Sequence, residues 1–355
     1  MKFIEYSKIY RPKIDVQIQS FIQNQKDRVS SQFLKSFYEG LMEYLLAGGK
    51  RIRPLLSIAT FNGLSAKEDE NMIFPSIAVE LLHNASLIHD DIIDKDDLRR
   101  GEPAFHYRFR QYHQNHKLRA MQSEEFGFTM GILGGDQVYF LGLDPLVNNT
   151  FSHDLNLKAT ELYKTAFTEL CEGVLIEMDM VNRTEVTIDE YIHMISLKTG
   201  VLLEKSILIG ANYARASNDI LPLLSTYAIN LGIIFQIKDD ILGTFGDEQL
   251  TGKPTDGDIR EGKKTSLLLA AKMNLKNQDK ERLEDLIKKD KKTKGDVIEV
   301  KNLFKKANAL EFCKNLANIH YQKSLDALKN LETHLNHSEF EFFSDLLEFV
   351  YERKF

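Results

Sequence analysis

Residues 73–94 read IFPSIAVELLHNASLIHDDIID, an apolar run that closes on three aspartates, Asp90, Asp91 and Asp94. The run reads as one long buried helix whose last turns carry the carboxylates. Burying a carboxylate without a partner is costly, and a cluster adds like-charge repulsion. On a helix, positions i and i+4 lie one turn apart on one face, about 6 Å along the axis. Asp90 and Asp94 therefore share a face, with Asp91 beside them. Hard oxygen ligands in that array suit Mg²⁺, which keeps several waters and is shared with substrate phosphates. A solvated acidic helix end is the alternative. An EF-hand fails by inspection: counted from Asp94, the sixth loop position is Arg99 and the twelfth Phe105, not Gly and Glu.

Working outward, the chain of 355 residues holds only 7 prolines, about 2% against an average near 5%, which favours long uninterrupted helices. Apolar spacings of three and four mark helices over 15–47, ending at Gly48 and Gly49, and from Arg53 over RPLLSIATFNGL. Further helices are expected over 126–148, 155–182, 187–213 and 218–243. Residues 99–125 read as a loop or short helical insert, with 107–125 a surface insertion, and 244–264 as a Gly- and Asp-rich loop. Two or three amphipathic helices finish the chain, and KKDKKTKGD, 288–296, reads as a solvated turn. The expectation is an all-α fold in a single domain, residues 1–355. A net charge of −6 argues against general nucleic-acid binding. Cys171 and Cys313 are the only cysteines, too few for a disulfide framework or a Cys-based zinc site. The N-terminus does not resemble a signal peptide, and no apolar stretch approaches the roughly 18–20 residues of a membrane span. A soluble, cytoplasmic protein is expected.

A second cluster raises the value of the first. FQIKDDILGTFGD, 235–247, places Asp239 and Asp240 at the end of another apolar run, with Asp247 beyond. Two such helix ends facing across a bundle would repel each other unless cations bridged them, and carboxylates from facing helices do build metal sites. Cations gather in GGKRIRP (Lys50, Arg51, Arg53), LRRGEPAFH (Arg99, Arg100), KTG (Lys198, Thr199) and TGKPTDGDIREGKKT (Lys253, Lys263, Lys264). Arginine forks grip phosphate bidentately and lysine adds a compact charge. Together these groups describe two polyanion sites, one metal-bound and one held by bare cations. Gly257 to Lys263 comes close to a Walker A loop. It is followed by Lys264 rather than Ser or Thr, and no βαβ pattern surrounds it.

In this order and spacing, GGKRIRP, LIHDDIIDKDDLRRG, GGD, KTG, FQIKDDILG and TGKP...DIREGKKT resemble the trans-isoprenyl diphosphate synthases, from about Leu45 to the C-terminus. The resemblance implies an all-α bundle around a deep cavity, usually as a homodimer. It implies Mg²⁺ as cofactor, held by Asp90, Asp91, Asp94, Asp239 and Asp240 on the diphosphate of an allylic substrate (dimethylallyl, geranyl or farnesyl). Arg99, Lys198 and Lys253 match cations on that same diphosphate. Lys50, Arg53, His83 and Arg100 match the isopentenyl diphosphate site. Thr199 and Gln236 fall near the reacting centre, and Lys263 counts among the substrate-binding cations. Leaving-group stabilisation would generate an allylic cation, which the double bond of isopentenyl diphosphate attacks before a proton is lost.

Three departures stand out: Gly243 where many members have Asp, Val174 and Glu177 where Gln and Asp are usual, and the long 107–125 link carrying His113 and His116. A terpene cyclase would need no second cation site, and a catalytically silent subunit would not need intact Asp pairs. Product length is read from the helix bearing the first cluster. Small residues at Ala85 and Ser86, then Leu82, leave the path open, with Tyr139 or Phe140 as an alternative floor. This implies a twenty-carbon product, geranylgeranyl diphosphate, with longer chains or farnesyl diphosphate as alternatives.

Overall fold

The structure, a computed structural model, describes residues 1–65, 70–246 and 255–353. It is built almost entirely of α-helices; among the described residues the only strands are β1 (Leu98–Arg99) and β2 (Glu102–Pro103), a small antiparallel pair. The chain divides into two compact units. One holds Met1–Thr165, Lys205–Ser217 and Leu335–Glu339; the other holds Ala166–Glu204, Asn218–His334 and Phe340–Phe355.

In the first unit α1 (Phe3–Asp27) and α2 (Gln32–Leu46) replace the single helix expected over 15–47. The break falls at residues 28–31, where Ser31, extended at ψ 127°, occupies the N-cap of α2. Serine favours that position over a helix interior. The helix α3 (Ile52–Leu64) and α4 (Ile73–Ile93) follow, the latter as the opening motif requires. Its apolar face is dry: Ile77, Leu81 and Ile88 are fully buried and share the core with Ile14, Ile18, Leu41 and Leu55. Helices α5 (Phe105–Asn115), α6 (Ser123–Leu141) and the single turn α7 (Asp144–Val147) complete this part, Gly142 ending α6 earlier than expected. The stretch expected as a surface insertion is only partly superficial. Phe109 and His113 of α5 are buried, and Phe109 packs in an aromatic group with Phe37, Phe105 and Tyr112. The sequence hid this because the buried spacing 105, 109, 113 lies among charged and amide residues.

Helix α8 (His153–Asn182) runs close to the expected bounds. The expected helix 187–213 is α9 (Ile188–Ile195), a π-helical turn (Ser196–Gly200) and α10 (Val201–Tyr213) in unbroken succession. In the second unit α11 (Leu221–Phe245) packs along α16 (Ala309–Leu331), with α13 (Ser266–Asn274) against α16 as well. Their shared core includes Ile233, Ile237, Leu267, Ala270, Phe304, Cys313 and Ala317. More C-terminal elements form than expected: α12 (Gly257–Glu261), α14 (Asn277–Ile287), α15 (Lys294–Lys306) and α17 (His337–Tyr351) join α13 and α16.

Two expectations need correcting. Helix α11 is long and apolar enough to cross a membrane by length and composition, and half of its most apolar window is buried in the protein. Its apolarity therefore has a use in the core of its own unit. The lysine-rich turn 288–296 is not fully solvated either. Lys292 is only 8% exposed, and Lys289 pairs with Asp296 at 2.5 Å.

Candidate active site

In the first unit the end of α4 separates its three aspartates by role. Asp91 is fully buried and accepts hydrogen bonds from Tyr44 Oη at 2.8 Å and Arg99 Nε at 2.6 Å, with a second guanidinium nitrogen of Arg99 on the same oxygen. Burial pushes its carboxyl up to about 6, with Arg99 pulling the other way. Asp90 and Asp94 are only partly buried. Their backbones are joined by Asp94 N–H to Asp90 C=O at 2.8 Å, which fixes the i, i+4 spacing. The expectation made all three metal ligands and put Arg99 on substrate. As placed, Asp91 and Arg99 hold each other, because a buried carboxylate takes the nearest cation.

GGKRIRP also divides. Gly48 and Gly49 have φ of 98° and 123°, which L-residues resist, and turn the chain so that Arg100 donates to Gly48 C=O at 2.6 Å. Arg51 is 2% exposed and serves the fold, bonding Asp15 at 2.8 Å, Glu80 at 2.7 Å and Leu45 C=O at 2.7 Å. Arg53 is different: its buried Nε has no hydrogen-bond partner among the described residues. Burial, partly offset by Glu80 and reinforced by Arg100, lowers its guanidinium to about 10. His83 is held well below the ordinary histidine range by burial and then by Arg53, Arg100, Arg99 and Arg51. A neutral histidine and an arginine with an unused donor, surrounded by further arginines, favour a bound anion. Lys50 lies exposed beside them in sequence.

The residues expected to set product length sit one and two turns back along α4. Leu82 and Ala85 are fully buried, packed against protein rather than lining space. Ser86 is partly exposed, its hydroxyl donating to His83 C=O at 2.8 Å. Of the alternative floor, Tyr139 meets His89 edge-on at 5.6 Å, whereas Phe140 is 74% exposed.

In the second unit the π-helical turn carries Lys198 and Thr199 into place. π turns are frequent at functional sites because the extra residue re-aims side chains. Glycines admit it: a Cβ on Gly173 of α8 would lie 2.5 Å from Lys198 N, and one on Gly232 of α11 would strike Gly200. Thr199 donates to Gln236 Oε1 at 3.1 Å, and Gln236 Nε2 donates to Asp240 at 3.1 Å. Asp240 is 4% exposed and accepts also from Tyr191 Oη at 2.6 Å and from Ser266 N and Oγ at 3.0 and 3.2 Å. Burial raises its pKa, and these donors hold it down. Like Asp91, it accepts hydrogen bonds from protein on both carboxylate oxygens. Asp239 is partly exposed and meets Arg353 at 2.5 Å, whose guanidinium also lies 4.9 Å over the Phe235 ring.

A pocket of about 90 Å³ gathers Glu177, Lys198, Gln236, Asp240, Asp258 and Lys263. Lys198 pairs with Glu177 at 2.5 Å and Lys263 with Glu261 at 2.8 Å. Glu177 thus meets a lysine from the neighbouring motif despite departing from the usual Asp. Asp258 is a residue the motif reading passed over. Its carboxyl is pushed up to about 6, by burial and then Asp240, and a Cβ on Gly243 would lie 3.1 Å from its Oδ2. The missing Asp at 243 was the available signal, since a glycine there leaves room for a carboxylate from elsewhere. Lys253 and Asp247 lie outside the described residues.

Known proteins resemble this chain over most of its length. The family model for polyprenyl synthetase matches residues 35–304. The chain is 34% identical to a geranylgeranyl diphosphate synthase of Saccharolobus solfataricus, over 86% of this chain and 87% of that one. It is 30% identical to a geranylfarnesyl diphosphate synthase of Aeropyrum pernix, over 96% and 99%. Among solved structures, a geranylgeranyl pyrophosphate synthase from Corynebacterium glutamicum, complexed with isoprenyl diphosphate and magnesium, superposes with a TM-score of 0.90 at 25% identity, covering all of both chains. With the family model matched across most of its length and relatives at 30% identity or more over most of theirs, this chain belongs to the polyprenyl synthetase family and is a prenyltransferase of the isoprenoid diphosphate synthase type.

Proposed function

We propose that the protein joins isopentenyl diphosphate head-to-tail to an allylic diphosphate (dimethylallyl, geranyl or farnesyl) and releases geranylgeranyl diphosphate. The observation that carries this reading is the cation cluster of Arg53, His83 and Arg100, with the unused buried Nε of Arg53 at its centre. Such a cluster holds a diphosphate without metal, which a terpene cyclase does not need. The product assignment draws on two relatives whose names denote products longer than fifteen carbons, and on the small, partly exposed Ser86 one turn before the first aspartate.

Among the described residues no three His, Cys, Asp or Glu side chains gather as a metal cage, and the chemistry of the partly exposed aspartates suits Mg²⁺, which takes one or two carboxylates and shares substrate phosphates. Asp90 and Asp94 present hard oxygens one turn apart on a helix end, while Asp91 and Asp240 are tied to protein donors and brace the metal-facing carboxylates, as second-layer contacts commonly do. When bound, Mg²⁺ would neutralise charge on the departing diphosphate. Asp90 and Asp94 would hold it in the first unit, and Asp239 would do so in the second.

The chain's own residues do the rest. Arg53, Arg100 and Lys50 fix isopentenyl diphosphate by its phosphates, and His83, neutral near pH 7, adds a hydrogen bond without a further charge. Lys198, held on the π turn, stabilises negative charge as the allylic C–O bond breaks. Thr199 and Gln236, linked to each other and to Asp240, give the developing allylic cation oxygen dipoles in place of water. The double bond of isopentenyl diphosphate then attacks, and a proton leaves to the released diphosphate. Arg53→Ala tests the reading directly: KM for isopentenyl diphosphate should rise with little change in KM for the allylic substrate. Equal effects on both would refute the assignment of the cluster.

The protein is read as a cytoplasmic homodimer without nucleic-acid partners. Leu133, 55% exposed, and Phe140, 74% exposed, lie two turns apart on α6 and suit a second copy. Sedimentation of the wild type against Leu133→Glu/Phe140→Glu tests that assembly. A single domain over residues 1–355 is part of the same proposal.

A further inference from the structure

The second unit contains another, larger pocket of about 600 Å³, within the usual size of small-ligand sites. Its walls are the C-terminal end of α8, the exit from α12, α13, and α14 with the turn that follows it to Lys292. Seven of the lining side chains are basic and three acidic, which selects an anionic occupant. Some of those cations serve the fold: Arg183 pairs with Glu190 at 2.6 Å, Arg260 with Asp256 at 2.5 Å and Lys289 with Asp296. Others have no direct ion pair. Among the described residues, no carboxylate lies within ion-pair distance of Lys264, Lys288 or Lys292.

Lys292 is the most telling of these. It is 8% exposed, yet its ammonium contacts only neutral oxygens, Arg260 C=O at 3.1 Å and Lys289 C=O at 3.0 Å. Burial lowers its pKa and the charges of Asp290 and Asp296 offset this only in part, so the ammonium is incompletely compensated. Burial and the neighbouring Lys272 and Lys292 depress Lys264 below the ordinary lysine range. Lys272 completes the group, reaching Thr184 C=O at 2.6 Å with Glu284 at 3.7 Å. Leu268, Leu283 and Ile287 supply an apolar side to the same pocket.

We propose that this pocket binds a diphosphate group at a position separate from both substrate positions, through Lys264, Lys288 and Lys292. Inorganic diphosphate and a prenyl diphosphate share that chemistry. Lys264 also lines the smaller pocket, next to Lys263, so an occupant touches the segment that delivers Lys263 to the catalytic side. The site stands on its own geometry and does not depend on the product assigned above.

Calorimetric titration of the full chain in EDTA with inorganic diphosphate tests it, using Lys288→Glu and Lys292→Met. Lys288 lies at the helix end, so that variant remains informative if replacing buried Lys292 disturbs folding. Loss of a charged phosphate contact should weaken one class of binding about tenfold in each variant. Turnover measured without added diphosphate should stay within about twofold of wild type, as expected for a residue outside the reacting centre. Geranyl diphosphate in place of inorganic diphosphate assigns the occupant: tighter binding means the apolar wall is used, and equal binding means the head group suffices. Wild-type affinity and stoichiometry in both lysine variants, with loss only in Arg53→Ala, would place all the diphosphate at the isopentenyl position and overturn the proposal.

Discussion

Replacing Asp240 and Asp94 in turn should separate two kinds of carboxylate that the sequence writes identically. Asp240→Ala removes the acceptor for Tyr191, Gln236 and both donors of Ser266. Gln236 is partly exposed and finds water, but Tyr191 is 1% and Ser266 0% exposed, so their donors stay buried. Each orphaned buried donor costs about 1–3 kcal/mol. Against this stands relief of the desolvated charge, whose raised pKa shows that the ionised form is opposed by burial. A net loss of about 3 kcal/mol is expected, and at about 2–4 °C per kcal/mol for a unit of this size the melting temperature falls by roughly 6–12 °C. Asp94→Ala, at a partly exposed helix cap, should move it by no more than about 2 °C. Its cost should appear in turnover instead, about 10²-fold, the usual loss when one contact to developing charge is removed. Scanning calorimetry and steady-state rates on the same preparations decide the matter. An Asp240→Ala protein melting with wild type would show that its hydrogen bonds do not hold the site. An Asp94→Ala protein within threefold of wild-type turnover would remove that residue from the chemistry.

Other outcomes follow from single residues. Ser86→Phe should shorten the product towards farnesyl diphosphate, read by chromatography of the dephosphorylated product; unchanged length would mean that this wall sets no limit. Val174→Gln, restoring the usual family residue, should alter the rate only modestly and leave the product unchanged. His83 is held below its unfolded pKa, so the unfolded chain binds the extra proton and wild-type stability falls as pH drops below about 6.5. By pH 5 that loss reaches at most about 2 kcal/mol, and His83→Gln should lack it. Urea titrations at pH 7 and pH 5 measure the difference, and equal pH dependence in the two proteins would mean that His83 is not held neutral.

What the sequence revealed was whatever is local. The i, i+4 pair Asp90 and Asp94, the glycines before Lys50 and the apolar run of α4 are each legible within one short segment. It could not show which aspartate of each pair is consumed internally, because that depends on Tyr44, 47 residues before Asp91, and on Tyr191 and Ser266 on either side of Asp240. Nor did spacing reveal the π turn, which depends on Gly173 and Gly232 clearing a path for Ser196–Gly200. Lys292 lies in a run that looks solvated by composition; only the fold brings Arg260 C=O against its ammonium.

The central claim is the reaction itself, and product identification tests it most directly. Purified protein, isopentenyl diphosphate, an allylic diphosphate and Mg²⁺ should give a linear all-trans diphosphate, and its dephosphorylated alcohol should co-migrate with the twenty-carbon standard. A cyclised hydrocarbon, or no turnover with any of the three allylic substrates, would contradict it.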